Sequence, residues 1–224
     1  MKGGIRMTGQ ELNVTLKNAM DVIAEKALKL YSLSESATIL LISQSENTTF
    51  LIEELDSSRY ILRIGRYGYH TSEDISEELL WMSEVKTNTM LTIPDVIPTI
   101  TGEEVAVVKH PYAPKYYTCV LFTFIEGHEP TIENVTGLID KFELLGEITA
   151  TLHKNVKAWE RSTTLNRFTW DYEALIGENA RLGAWKEAPG LTSEMKLILM
   201  KTCETIKKRL DAYGKTADRY GLIH

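Results

Sequence analysis

The feature that most restricts the fold is a change of hydrophobic period early in the chain. Leu12, Leu16, Met20, Ile23, Ala27 and Leu30 recur every three or four residues, the spacing of one apolar face of an α-helix. The period then drops towards two. The runs "ATILLIS", "TTFLIEE" and "RYILRIGR" are short, rich in Ile, Leu and Thr, and separated by "QSEN" and "LDSS". Polar breaks of that length make tight turns, and tight turns join antiparallel neighbours, because a parallel crossover needs a much longer connection. A helix followed by an antiparallel meander is therefore predicted for the first third of the chain.

The pattern then alternates once more. "HTSEDISEELLWMSEV" predicts a helix starting at Thr71, with Asp74 and its acidic neighbours in the first turn, where the helix dipole favours them. "TITGEEVAVV" predicts a hairpin around Thr101 and Gly102, and "YYTCVLFTFIEG" a long apolar strand ending at Gly127. Beyond it the period is helical. Ile139, Phe142, Leu145, Ile148, Leu152 and Val156 mark one amphipathic helix, and Leu197, Met200, Ile206, Leu210 and Tyr213 another. Strands first and helices afterwards predict an α+β fold in two lobes. The boundary is expected in "EGHEPT", giving residues 1–126 and 127–224.

Composition narrows the function. Of the 224 residues, 43% are hydrophobic and 25% charged, enough to build a core. A net charge of −6 without any basic run argues against a nucleic-acid surface, which needs clustered Lys and Arg. No stretch approaches the roughly 20 apolar residues of a membrane span. The N-terminal residues hold no apolar core of a secretory signal, so a cytoplasmic enzyme or binding protein is expected. Cys119 and Cys203 have no metal spacing and read as reduced, packed thiols. His70, His110, His128, His153 and His224 are too scattered for a metal motif, and no serine lies in a nucleophile elbow. Asp171, between aromatics in "NRFTWDYEALIG", either lines a pocket or caps a helix; packing is the preferred reading.

Two charges interrupt apolar stripes. Arg63 shares a strand face with Ile61, and Glu78 lies in the helical stripe of Ile75, Leu79 and Met82. Each sits either at a solvated edge or indoors, and spacing leaves both readings open. Burial would require that they neutralise each other, since one buried charge left alone is strongly destabilising. Glu77 falls on another face and reads as solvated.

With those residues in place, the sequence resembles the aminoglycoside-phosphotransferase-like small-molecule kinases, particularly their homoserine-kinase-type-II-like branch. The matching segments, in family order, are "SENTTFLIE", "YILRIGRYGYHT", "EELLWM", "VLFTFIEG", "LLGEITATLH" and "YGLIH". The resemblance implies a protein-kinase-like fold, with a sheet and one inserted helix in the first lobe and the first helices of the second. It implies ATP as the nucleotide. The glycine-free turn "SQSENTTF" would cover the phosphates through backbone N–H groups and the side chains of Ser45, Asn47 and Thr48; an ordinary polar hairpin turn reads the same. Arg63 would stand where kinases carry the strand lysine, with Glu78 orienting it. "VLFTFIEG" would be the adenine hinge, with backbone contacts at Thr123 and Ile125 and Phe122 behind the slot. His224 would begin the catalytic loop as a structural member. The aspartate base and the Mg²⁺ ligands would follow it, so they are not in this chain. The expectation is the N-terminal portion of an ATP-dependent kinase acting on a small hydroxyl acceptor, inactive alone, with self-association through an exposed edge. The rival is a non-catalytic nucleotide-binding or protein-interaction module.

Overall fold

Helix α1 (Gly9–Leu28) turns Met20, Ile23, Ala24 and Ala27 into the core, on the face that the periodicity selects. The computed structural model describes residues 9–127, 135–178, 180–181 and 183–221. Strands β1 (Thr38–Gln44), β2 (Asn47–Glu53) and β3 (Arg59–Gly65) follow as the antiparallel meander. The turn between β1 and β2 is closed by the Ser45 N–H, which donates to the Asn47 carbonyl at 2.9 Å. The β1–β2 register shifts between Leu41 and Ser43, a bulge in a strand that forms one edge of the sheet.

Helix α2 (Ser72–Asn88) begins where the sequence predicts. The Asp74 N–H donates to Thr71 Oγ1 at 3.1 Å and the Thr71 N–H to Asp74 Oδ2 at 2.8 Å, a reciprocal capping box. Strands β4 (Val96–Ile97), β5 (Ala106–Lys109) and β6 (Tyr116–Thr123) complete six strands in the order β1-β2-β3-β6-β4, with β5 also on β6.

Two expectations change here. The segment around Thr101 and Gly102 turns, but the strands beside it do not form a hairpin: β4 pairs with Leu121 and Phe122, and β5 with residues Tyr116 to Cys119. The reason is local. The Thr99 N–H donates to the Glu103 carbonyl, and the Thr99 and Thr101 hydroxyls meet the Glu103 carboxylate. The loop closes on itself, and β4 and β5 lie end to end along one edge of β6. Strand β6 also ends at Thr123 instead of running on to Gly127.

Alternation gives the sheet two faces. Phe50, Ile52, Leu62, Ile64, Cys119 and Leu121 pack with α1 and Tyr31, whose hydroxyl donates to the Cys119 carbonyl at 3.5 Å. Val120 and Phe122 pack on the other face with Ile75 and Leu79 of α2, joined by Ile61, Met82 and Val96. A fully buried side chain of this size contributes about 1.5–3 kcal/mol, so both faces are held firmly.

The chain divides into two compact units, Met1–Thr151 and Leu152–His224. Helix α3 (Val135–Ala158) begins in the first and ends in the second. In the second unit, α4 (Tyr172–Ile176) is capped by Asp171, whose carboxylate accepts from the Ala174 N–H at 3.1 Å. Asp171 therefore caps a helix, one of its two readings. Helix α5 (Ser193–Tyr213) starts at the Thr192 cap and stops at Gly214, whose φ of 79° suits glycine.

Candidate functional site

The site is built on the α2 face of the sheet in the first unit. Arg63 Nη1 lies 2.5 Å from Glu78 Oε1, with the two side chains only 20% and 24% exposed. Of the two readings open from spacing, the pair is therefore formed and largely indoors. In the sheet Arg63 stands opposite Thr49 of β2 and Val120 of β6, and its guanidinium lies 5.2 Å from the Phe122 ring centre. Its second terminal nitrogen, Nη2, is buried and has no hydrogen-bond partner among the described residues. A buried donor of a permanently charged group is costly to leave unsatisfied, so this atom marks a place for an acceptor.

Beside it runs an apolar shelf. Leu40, Leu51, Ile61 and Phe122 are direct cross-strand partners on β1, β2, β3 and β6. Phe122 is buried, whereas Leu40 is 61% exposed, and Ile42 further along β1 is 52% exposed. Both lie out of phase with Ile39 and Leu41, which pack towards α1. Sequence reasoning singled out Phe122 and set Ile61 on the Arg63 face, but missed Leu40 and Leu51. The signal for Leu40 is that "TILLI" is apolar at every position, so β1 has something oily on both faces.

The turn residues separate. Asn47 stands opposite Gly65 at the end of β3, and Ser45 closes the turn. Thr48 is buried in phase with Phe50 and Ile52, so its hydroxyl lies on the α1 face, away from Arg63. At the far end of the shelf, the Thr123 N–H donates to the Asp95 carbonyl and Thr123 Oγ1 accepts from the Asp95 N–H, both at 2.9 Å. The Phe124 N–H donates to the Arg59 carbonyl at 3.2 Å. Ile125 is outside the sheet, and its N–H has no acceptor among the described residues. His224 and His128 lie outside the described residues.

Helix α2 holds a further departure. Glu77, expected on a solvated face, is half-buried, and its Oε2 is buried without a hydrogen-bond partner among the described residues. Trp81 Nε1, one turn on, is in the same condition. Among the described residues no group of three His, Cys, Asp or Glu could hold a metal ion. No described helix is long and apolar enough to cross a membrane.

No protein-family model matches the chain, and no curated protein matches it. Solved structures do. A microcompartment-associated aminopropanol kinase has a TM-score of 0.78 and 34% identity, covering 91% of this chain and 61% of its own. An amicoumacin kinase, hAmiN, solved with AMP-PNP, Ca²⁺ and Ami, has a TM-score of 0.69 and 18% identity, covering 95% of this chain and 59% of its own. The chain spans about three-fifths of the length of the kinases it matches.

Proposed function

We propose, from a chain that has the protein-kinase-like fold of the aminoglycoside-phosphotransferase-like small-molecule kinases, that this protein is the nucleotide-holding part of an ATP-dependent phosphotransferase. Residues 1–126 form the nucleotide lobe in this reading, and 127–224 begin the helical lobe. One observation carries it. The buried Arg63 Nη2, unpartnered among the described residues and fixed through Nη1 by Glu78, lies at the edge of an apolar shelf whose outer members are exposed. A flat base on Leu40, Leu51, Ile61 and Phe122 would place its phosphates towards the guanidinium, a forked donor suited to phosphate oxygens. The Ile125 N–H is the base's donor and the Thr123 carbonyl its acceptor. Ser45 and Asn47 serve the phosphates from the turn.

Glu78 orients Arg63 and spreads part of its charge, so that the guanidinium is already aimed before phosphate arrives. Transfer to a hydroxyl also needs a base and metal ligands. Among the described residues no group of three His, Cys, Asp or Glu could hold a metal ion. These 224 residues span about three-fifths of the kinases they match, and nucleotide binding is the part of the activity proposed for them alone. The acceptor is a small molecule bearing a hydroxyl, and the aminopropanol kinase makes an amino alcohol the first to try.

The test is a nucleotide titration followed by thermal or chemical unfolding. ATP at 100 times its Kd should raise apparent stability by about 2.7 kcal/mol. Arg63→Ala removes a charge-assisted contact of about 1.5–3 kcal/mol and should weaken ATP at least about tenfold. A wild-type chain that ATP does not stabilise, or an Arg63→Ala chain that binds ATP as tightly, would refute the proposal.

A further inference from the structure

Arginines stand at the start, in the middle and just past the end of strand β3, and the proposed function uses only the middle one. Arg59, at the start, lays its guanidinium 4.3 Å from the Phe124 ring centre and pairs with Glu126. Its carbonyl accepts the Phe124 N–H. Arg59 thus grips the residues on either side of Ile125. Arg66, just past the other end, pairs with Glu46 at 2.9 Å, and its guanidinium lies 5.7 Å from the Tyr69 ring centre. Glu46 belongs to the turn between β1 and β2.

The strand between these grips is a stiff frame. It is paired with β2 on one side and β6 on the other. Its last residue, Gly65, passes so close to β6 that an added Cβ would fall 2.5 Å from Thr118 Oγ1. Arg66 lies seven positions after Arg59, about 23 Å along an extended strand. The two clamps therefore act at opposite ends of the site.

Each clamp meets a local need. The turn has no glycine, and Glu46 sets a carboxylate next to the place proposed for polyphosphate. Pairing with Arg66 neutralises that charge and ties the turn to β3. The segment after Thr123 has left the sheet, so no ladder bond orients the Ile125 N–H. Arg59 holds its neighbours instead.

We infer that Arg59 and Arg66 are positioning residues for the two ends of the nucleotide: Arg59 sets the backbone that reads the base, and Arg66 sets the turn that covers the phosphates. The inference rests on the nucleotide-binding reading. Exposed ion pairs of this kind contribute little to folding, so the variants should fold and differ in ligand preference.

The experiment measures Kd for ATP and for AMP on the wild-type chain, Arg59→Ala, Arg66→Ala, the charge-swapped Glu46→Arg/Arg66→Glu double variant, and Arg63→Ala. Arg66→Ala should weaken ATP about threefold to fivefold and leave AMP within about 1.5-fold, because a monophosphate makes less use of the turn. Arg59→Ala should weaken both nucleotides by one common factor of about three. The charge-swapped pair should recover ATP binding, which a loss of packing alone would not. The inference is overturned if neither single variant changes ATP binding, if Arg66→Ala weakens ATP and AMP equally, or if the swap recovers nothing. Arg63→Ala separates the two claims. If it binds ATP like wild type, the nucleotide reading falls and takes the clamps with it. If it loses ATP while the Arg59 and Arg66 variants show no such split, the clamps alone fall.

Discussion

Arg63 and Glu78 were legible as single residues because a charge inside an apolar stripe admits only two outcomes, and the structure selects the paired one. Leu40 and Ile42 were not. An apolar residue on a strand looks the same whether it faces a core or a vacant shelf, and "TILLI" hides its period of two by being apolar throughout. Thr48 shows the opposite failure: a polar residue near a turn reads as a ligand, yet one step of alternation sends its hydroxyl to the α1 face. Glu77 was misplaced because helical spacing fixes a face but not what covers it. Gly65 gives a prediction at this scale. Gly65→Ala should destabilise by about 1–3 kcal/mol through overpacking, measured by urea unfolding. Thr118→Ala removes the facing hydroxyl and should recover most of that loss. Independent, additive effects would show that the close approach does not matter.

Elements were read most reliably where a long period repeats. Helices α1, α2, α3 and α5 and the first three strands lie where the hydrophobic spacing predicts them. The partners of β4 and β5 were not readable, since two short strands beside a turn signal ordinarily make a hairpin. What overrides it is the ring of polar contacts that Thr99, Thr101 and Glu103 make within the loop. The start of α2 is a stricter case, because both bonds of its capping box are present. Thr71→Ala should cost about 1 kcal/mol, read from the denaturant midpoint, and Thr71→Ser should restore most of it. Since α2 carries Glu78, nucleotide affinity of Thr71→Ala provides a second reading of how far fraying at the cap reaches.

For the molecule as a whole, the α+β fold was legible, and the solved kinases share it. Affinity for a particular acceptor was not, because nothing in the spacing of these residues describes one. The core makes a prediction about pH. Burial pushes the Cys119 thiol up to about 12 from 9.0, and burial also raises the Tyr31 phenol that bonds to its carbonyl. Both groups are neutral when protonated, and the unfolded chain releases those protons more easily. Their contribution to stability should therefore be level below pH 9 and fall as pH rises from there towards 12. Urea midpoints across that range check it, and Cys119→Ala should flatten the slope. Native chains should also shield Cys119 from a thiol reagent at pH 8 until unfolded. A final consequence concerns crowding, and it comes from the kink in β1 at Leu41–Ser43. An outermost strand with oily side chains invites a stranger's backbone to zip alongside it, seeding fibrils. Because the kink breaks the even row of donors and acceptors, an incoming strand could stay in step on only one side of it, and growth by that route should stall after a few residues.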